Sequence, residues 1–283
     1  MLIGCQQAEP LGSKNNPIKL YFNPIEESGV ITNNSKEFLK FLEEETGYHF
    51  KTGITASYIA LVEAFGTGRV DIARISPNGY LIANEKYGAE AKLKIIRDGV
   101  DYYRGQIITR VDSNIDKLED LNGRKFAFTD PSSTSGFMFP KKLLNDNNIN
   151  LGETFFARKH ANVVSMVYQK QVEAGAAFHS TAKETGKVKD ARRLVETQFP
   201  DVAEKIKTVA LTEKIPNEPF AFRKELDPEI TKKFISAMKK FAASKRGKEI
   251  FEKDYNLEGV IDANDSDYDS LRNVIKSIKV DLK

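Results

Sequence analysis

Apolar and polar positions along the chain follow two periods in turn. Residues 18–22, Ile18-Lys19-Leu20-Tyr21-Phe22, alternate with period two and predict a first strand. Residues 23–34 are rich in turn formers. Phe38, Leu39, Phe41 and Leu42 then recur at helical spacing within 35–46, and Gly47 supplies a C-cap. A short strand at 49–51 precedes a helix that opens at Thr55-Ala56-Ser57-Tyr58 and turns Ile59, Leu61, Val62 and Phe65 inward. Residues 70–75 read as a strand, Ser76-Pro77 opens a helix through Ala83, and 93–96 is another strand. Residues 103–110 form a long strand rich in β-branched side chains. After a break at 111–114 and a short helix at 118–121 the alternation restarts: strand 125–128, helix 137–146, strand 154–157, helix 161–169, strand 172–177. Residues 206–211 and 220–222 are strand-like. Beyond Pro228 the chain reads as helical over 230–243, 247–251 and 268–278.

Strands alternating with helices across short connections predict an α/β class with largely parallel sheets. The alternation occurs twice, so the chain divides into two α/β lobes: 18–110 as the first part of lobe 1, 111–207 as lobe 2, and 208–283 as the return to lobe 1 with C-terminal helices. A cleft between two such lobes, where helix N-termini face strand ends, is where a ligand would sit.

One stretch carries candidate chemistry. Thr129-Asp130-Pro131-Ser132-Ser133-Thr134-Ser135-Gly136 follows the apolar run Lys125-Phe126-Ala127-Phe128 and precedes a helix whose Pro140 is tolerated only near a helix start. Three hydroxyls, Ser133, Thr134 and Ser135, therefore stand at a helix N-terminus. Its unpaired N–H groups and the positive end of the helix dipole suit an oxyanion such as phosphate, sulfate or carboxylate. Ser and Thr are also the commonest N-caps, so on these residues alone capping and anion binding both stand.

Composition narrows the partners. Of 283 residues 40% are hydrophobic and 29% charged, as in an ordinary globular protein, and 43 basic against 40 acidic residues is too even a balance for nucleic acid. The sequence contains no apolar run of about 18 residues. The sole cysteine, Cys5, excludes an internal disulfide and a Cys-based zinc site, and no metal or cofactor is expected. Leu2-Ile3-Gly4-Cys5 resembles the tail of a bacterial lipoprotein signal whose cysteine becomes lipidated. The charged and apolar regions that precede such a site are not in the sequence, and Met1 reads as a start placed on a truncated leader. Residues 1–17 are then a signal remnant followed by a polar tether from Gln6 to Pro17.

Several segments, in order, resemble the phosphonate/phosphite/phosphate-type substrate-binding proteins of bacterial ABC importers. Ala56-Ser57-Tyr58 followed by Leu61-Val62-Glu63-Ala64 is similar to that family's T-x-Y helix start, with Ala56 in the Thr place. Gly68-Arg69-Val70-Asp71-Ile72-Ala73 with Ser76-Pro77-Asn78-Gly79-Tyr80 resembles its G-x-V-D-I-A and G-P-x-S-Y segments. Asp130 to Phe137 with Pro140 resembles its D-x-x-S-T-S-G-Y/F signature, the most specific of the set. His160 with Val163 and Val164, then Val172-Glu173-Ala174-Gly175-Ala176, and finally Ile215-Pro216-Asn217-Glu218-Pro219-Phe220 continue the likeness, which spans about 18–244.

The resemblance implies a type II periplasmic binding fold, with two α/β lobes, mixed sheets and two hinge crossings. It implies a monomeric binder that hands a small phosphorus oxyanion to a membrane permease, in the periplasm or on the outer face of the membrane. Ser133, Thr134 and Ser135 would donate to ligand oxygens, with Ser57, Tyr58, Tyr103 and His160 completing the donors; an adjacent anion favours the charged imidazole. Glu218 matches an acidic residue that, in aminophosphonate-binding members, meets the ligand ammonium or takes a proton from the anion; a carboxylate on the surface of the hinge is the equal alternative. Those members carry a second carboxylate after the V-D-A strand, where this chain has Ala177-Phe178-His179-Ser180-Thr181. An ammonium buried without a partner is costly, which favours phosphite, methylphosphonate or phosphate over an aminoalkylphosphonate. Arg74 replaces the family's large apolar residue, either in the cleft or outside the sheet. His49 and His179 are read as structural. A ligand-sensing module of the same fold, a phosphoryl hydrolase, or a binder of sulfate or molybdate are the alternatives; the sequence has no G-x-S-x-G or H-E-x-x-H pattern for the hydrolase.

Overall fold

In the computed structural model, which describes residues 9–23, 28–180, 189–255 and 257–278, the chain builds two sheets joined by two crossings. The elements run β1 (Ile18–Phe22), α1 (Ser28–Thr46), β2 (Phe50–Ile54), α2 (Tyr58–Gly66), β3 (Ile72–Arg74), α3 (Pro77–Tyr87) and β4 (Glu90–Ile96). Then come β5 (Tyr102–Arg110), β6 (Phe126–Phe128), α4 (Phe139–Asp146), β7 (Thr154–Phe156), α5 (His160–Tyr168), β8 (Ala174–His179), α6 (Val202–Lys205) and β9 (Ile206–Pro216). β10 (Pro219–Phe222), α7 (Pro228–Ala243), α8 (Lys245–Asp254), β11 (Gly259–Asp262) and α9 (Asp269–Ile278) follow. Cys5 lies outside the described residues.

The first sheet has the order β11-β4-β10-β3-β1-β2 and the second β7-β6-β8-β5-β9. Each has a parallel half, β3-β1-β2 and β7-β6-β8, made by strand–helix–strand units. The other half of each is antiparallel, because β5 and β10 arrive from the opposite sheet and run back against their neighbours. The sheets are therefore mixed rather than largely parallel. The expected lobe boundary after Arg110 falls at the far end of β5, whose partners β8 and β9 belong to the second sheet; the chain passes between sheets at 97–101 and returns at 216–218.

Local differences have local causes. The helix expected over 35–46 extends back to Ser28 despite Gly29 and two asparagines, because adding turns to a nucleated helix costs little. Residues 9–17, expected as tether, fold as turns on the first lobe: Gly12 N–H donates to Asn16 O at 2.8 Å, His49 N–H donates to Gly12 O at 2.8 Å, and Leu11 packs on the core. β11, inside the stretch read as helical, is an edge strand on β4 too short to show a period. Phe38 of α1 meets Phe241 of α7 and Phe251 of α8, with ring centroids 5.1 and 5.6 Å away, and these aromatic contacts cover one face of the first sheet. Another apolar cluster runs from Leu61 and Leu81 through Tyr103 to Met138, Phe139 and Val163, so the two lobes share packing beside the crossings.

The crossings are fastened to each other. Arg97 and Val100 exchange backbone hydrogen bonds of 3.0 and 3.1 Å around Asp98 and Gly99, whose φ of 53° and 75° are those of a tight left-handed turn. The buried Asp98 carboxylate accepts from Ser180 Oγ at 2.6 Å and from Lys189 Nζ, which holds this turn against the second lobe. Asn217, fully buried, joins the two strands of the hinge. Its N–H donates to Asp101 O at 2.9 Å and its Nδ2 to Ile95 O at 3.1 Å and Val100 O at 3.0 Å, while Tyr268 Oη donates to Asn217 O at 3.1 Å. Asn217→Ala leaves buried carbonyls without a donor and is expected to cost about 1–3 kcal/mol of stability, read as a lower urea midpoint with an unchanged slope.

Candidate functional site

The hydroxyl-rich loop leaves β6 and turns at once into a helix. Ser133 N–H donates to Asp130 O at 2.9 Å and Ser132 N–H to Asp130 Oδ1 at 2.9 Å, which folds the Asp-Pro-Ser turn. Ser133 Oγ accepts from Gly136 N–H at 3.1 Å, and Ser133 O accepts from Phe137 and Met138 N–H at 3.2 and 3.0 Å. The helix begins as one wide π turn, Thr134–Met138, before α4, so it starts earlier than the expected 137. This bookkeeping leaves two amides over: among the described residues, Thr134 N–H and Ser135 N–H have no hydrogen-bond acceptor. Capping and anion binding are thus compatible, since Ser133 Oγ caps with a lone pair and keeps its hydrogen to donate. Two glycines bring the loop in. A Cβ on Gly136 would lie 2.1 Å from Thr129 Oγ1, and one on Gly105 of β5 would lie 2.7 Å from Ser135 O.

The first lobe meets this loop with helix starts of its own. Asn78, in the first turn of α3, donates its N–H to Thr134 Oγ1 at 3.0 Å and its Nδ2 to Ser132 O at 2.9 Å, so the lobes are in direct contact here. Ser57 caps α2, with Oγ accepting from Ala60 N–H at 3.2 Å, and places the buried Tyr58 at the helix start. Strand alternation on β5 turns Tyr103 inward and Tyr102 outward, where Lys214 Nζ lies 4.1 Å from the Tyr102 ring centre. Burial pushes the Tyr103 phenol above its usual range and Glu218 adds to this, while the Ser135 and Thr134 hydroxyls and Arg97 pull the other way. Burial raises Tyr58 as well, with Tyr103, Asp130 and Glu218 reinforcing it. Both phenols are therefore protonated donors at neutral pH.

His160, 3% exposed at the start of α5, is the donor from the second lobe. Its Nδ1 lies 3.2 Å from Phe178 N and 3.2 Å from Thr129 Oγ1. A backbone N–H can only donate, so Nδ1 is the acceptor and the proton sits on Nε2. Burial drives the pKa down to about 3, with Glu218 opposing only in part. The expected preference of a nearby anion for the charged ring thus meets a larger opposing effect, and the imidazole is a neutral Nε2–H donor.

Glu218 is held in a different way from that expected. Its carboxylate, 6% exposed, faces Arg97 Nη2 at 3.4 and 3.5 Å and Arg74 Nη2 at 3.9 Å. Burial alone would raise it, but the two guanidiniums keep it below the usual carboxylate value, so it is ionised. Arg74, whose placement the sequence left open, is buried at the hinge, with Nη1 donating to Tyr255 O at 2.9 Å. The negative charge of Glu218 acts to raise Tyr58, Tyr103 and His160 alike. Sequence reasoning missed Asn78, read only as part of a helix start, along with Thr129 and Arg97. Ser76-Pro77-Asn78 was a usable signal, since the residue after an N1 proline has an N–H that its own helix cannot use. For Arg97 there was no signal.

The remaining histidines lie elsewhere: His49 Nδ1 pairs with Glu43 Oε1 at 3.1 Å on the surface, and His179 Nδ1 is 3.9 Å from Asp190 Oδ2. A surface hollow in the second lobe includes Arg110, Lys170 and Arg124, but Asp112 and Glu173 already pair these cations at 2.7, 3.1 and 2.8 Å. Among the described residues no group of His, Cys, Asp and Glu could hold a metal, and no helix is long and apolar enough to cross a membrane.

Over residues 20–268 the sequence matches the family model described as ABC transporter, phosphonate, periplasmic substrate-binding protein. The phosphate-import protein PhnD of Mycolicibacterium smegmatis is 27% identical over 277 residues, which cover 89% of this chain and 82% of that relative. Among solved structures, a binding protein component of an ABC phosphonate transporter from Pseudomonas aeruginosa superposes with a TM-score of 0.80 at 23% identity, covering 93% of this chain and 87% of that one. PhnD1 from Prochlorococcus marinus, solved in complex with methylphosphonate, superposes with a TM-score of 0.77 at 18% identity, covering 93% and 98%. The two mixed sheets and paired crossings are those of the type II periplasmic binding fold. With a family model spanning most of its length, and with hydroxyls, helix-start amides and a neutral imidazole gathered where its lobes meet, this chain belongs to the periplasmic phosphonate substrate-binding family of ABC transporters.

Proposed function

We propose that this protein captures a small phosphorus oxyanion (phosphite, methylphosphonate or phosphate) between its lobes and delivers it to a membrane permease. The observation that carries this reading is the pair of unused amides at Thr134 and Ser135, in a helix start that also bears three hydroxyls and faces Asn78 of the other lobe. Thr134 N–H, Ser135 N–H, the Ser133, Thr134 and Ser135 hydroxyls, Tyr58, Tyr103 and His160 Nε2–H supply the donors. The anion keeps its charge and exchanges water for fixed dipoles. Ser57 acts through its cap, by fixing the start of α2 and so the position of Tyr58.

Binding proceeds by rotation of the lobes about the crossings at 97–101 and 216–218, which closes the cleft and excludes water. A hydrogen bond to a charged group contributes roughly 1.5–3 kcal/mol, so five or six suffice for roughly micromolar to nanomolar affinity after the cost of closure. The relative from Mycolicibacterium smegmatis is named for phosphate import and the structure from Prochlorococcus marinus holds methylphosphonate; both support the ligand class. The protein acts as a monomeric binder rather than a catalyst, outside the cytoplasmic membrane, with Cys5 as lipid anchor so that the loaded form stays near its permease.

Calorimetric titration with phosphite, phosphate, methylphosphonate and sulfate tests the reading: one of the phosphorus compounds should bind tightest, and tighter binding of sulfate, or turnover of a phosphate ester above background, overturns it. Ser133→Ala combined with Thr134→Val should weaken the preferred ligand at least tenfold, about 1.4 kcal/mol, and unchanged affinity moves the site elsewhere. A pH series checks the neutral imidazole. Native His160 gives up its proton at about 3, whereas an unfolded histidine does so at about 6.5. Between these values the unfolded chain binds the extra proton, so stability falls as pH drops. His160→Asn should flatten that part of the decline in urea midpoint between about pH 6.5 and 4.5 relative to wild type.

A further inference from the structure

Asn78 uses one end of its side-chain amide to cross the seam and leaves the other end unused. The residue is fully buried in the first turn of α3. Its backbone N–H donates to Thr134 Oγ1 at 3.0 Å and its Nδ2 to Ser132 O at 2.9 Å, so main chain and side chain both rest on the hydroxyl-rich loop. Ser132 O is a carbonyl and can only accept, which fixes Nδ2 toward it and makes the other end of the amide Oδ1. That oxygen is buried, and among the described residues no donor reaches it. It is bonded to the same carbon as Nδ2, one amide width from a loop whose Thr134 and Ser135 N–H groups have no acceptor among the described residues. This contact between the lobes therefore carries orphan donors on the loop and an orphan acceptor on α3.

We infer that Asn78 Oδ1 accepts the acidic hydrogen of the bound ligand, so that the site selects a tetrahedral oxyanion in its monoprotonated form and rejects a fully ionised one of the same shape. This rests on the phosphorus-oxyanion reading above and adds the residue that reads the ligand's proton. A buried polar atom left unpaired is costly. An oxyanion with lone pairs only satisfies the Thr134 and Ser135 amides but sets an oxygen lone pair against Oδ1. One that keeps a P–O–H satisfies both sides, the bare oxygens accepting from the loop and the hydroxyl donating to Asn78. Phosphoric, phosphorous and phosphonic acids ionise for the second time near neutrality and bring such a hydrogen; sulfuric and sulfonic acids have lost theirs long before. A neutral amide suits the task, since it accepts the hydrogen without opposing the anion with a charge of its own. Glu218, the acceptor suggested by the resemblance, faces Arg97 and Arg74. Discrimination of this kind is strong because the analogue without the hydrogen leaves a buried group unpaired.

The test compares methylphosphonate with methanesulfonate by calorimetry at about pH 5.5, below the second ionisation of a phosphoryl group, where both are singly charged and differ by one hydrogen. Wild type should prefer methylphosphonate by about a hundredfold or more. Asn78→Ala should narrow that ratio by about tenfold. Asn78→Asp keeps an acceptor oxygen in either protonation state and should hold the ratio or widen it. A merely structural contact between the lobes would weaken both ligands together and leave the ratio unmoved in Asn78→Ala. That result, with methylphosphonate still bound, overturns this inference alone, as does a narrowed ratio in Asn78→Asp or a wild type that binds the two compounds alike. A wild type that binds none of methylphosphonate, phosphite and phosphate overturns the ligand class, and this inference with it. Should Asn78→Ala fail to fold, Asn78→Ser, at home in a first helical turn and too short to reach the place of Oδ1, should narrow the ratio by about the same tenfold, and an unmoved ratio there overturns the inference.

Discussion

The first turn of a helix has N–H groups that its own backbone cannot satisfy, and this protein gathers several such turns at one seam. The starts of α2, α3, the π turn before α4 and α5 carry Tyr58, Asn78, Thr134 and His160, and these residues lie where the two lobes meet. Some of the orphan donors are used internally, as when Asn78 N–H finds Thr134 Oγ1. Among the described residues, those at Thr134 and Ser135 are not. A buried donor with no acceptor is expensive, so on the proposed reading an anion that brings several acceptors at once would offset a deficit that the fold itself creates.

That repair depends on charge and protonation being fixed beforehand. The site is built from neutral donors: two phenols held protonated by burial, and an imidazole whose Nδ1 is committed to Phe178 N–H so that Nε2 carries the proton. Formal charge enters at the hinge, where Arg97 and Glu218 of the two crossings meet Arg74 at the end of β3. These charged side chains thus lie beside the crossings, while the neutral donors lie on the lobes. Asn217, one residue before Glu218, ties both crossings together, so the pivot is mechanically and electrostatically a single unit.

Much of this was open to a reader of the sequence. Period-two and helical runs located most of the strands and helices, since each element must bury one face whatever its neighbours are. Ser133, Thr134, Ser135, Tyr58, Tyr103 and His160 were singled out, and each of these six is buried. The lobe contacts of Asn78 were not legible, because a polar residue after Ser-Pro looks like any helix start until the facing loop is known. The antiparallel halves of the sheets were equally hidden. Whether β5 and β10 run with or against their neighbours depends on which sheet the chain enters, not on the strands' own residues.

The sequence by itself determined which segments are helices or strands, where the hydroxyl-rich turn lies and what chemistry it can offer, because these follow from local periodicity and from donor types carried by consecutive residues. Only the tertiary structure decided which charges meet. Arg74, Arg97 and Glu218 are far apart in the chain, and their pairing exists because two crossings run side by side through a buried hinge. The reason is physical: hydrogen bonds within a turn are set over a few residues, whereas the interaction of buried charges depends on distance and burial that no short stretch of chain can specify.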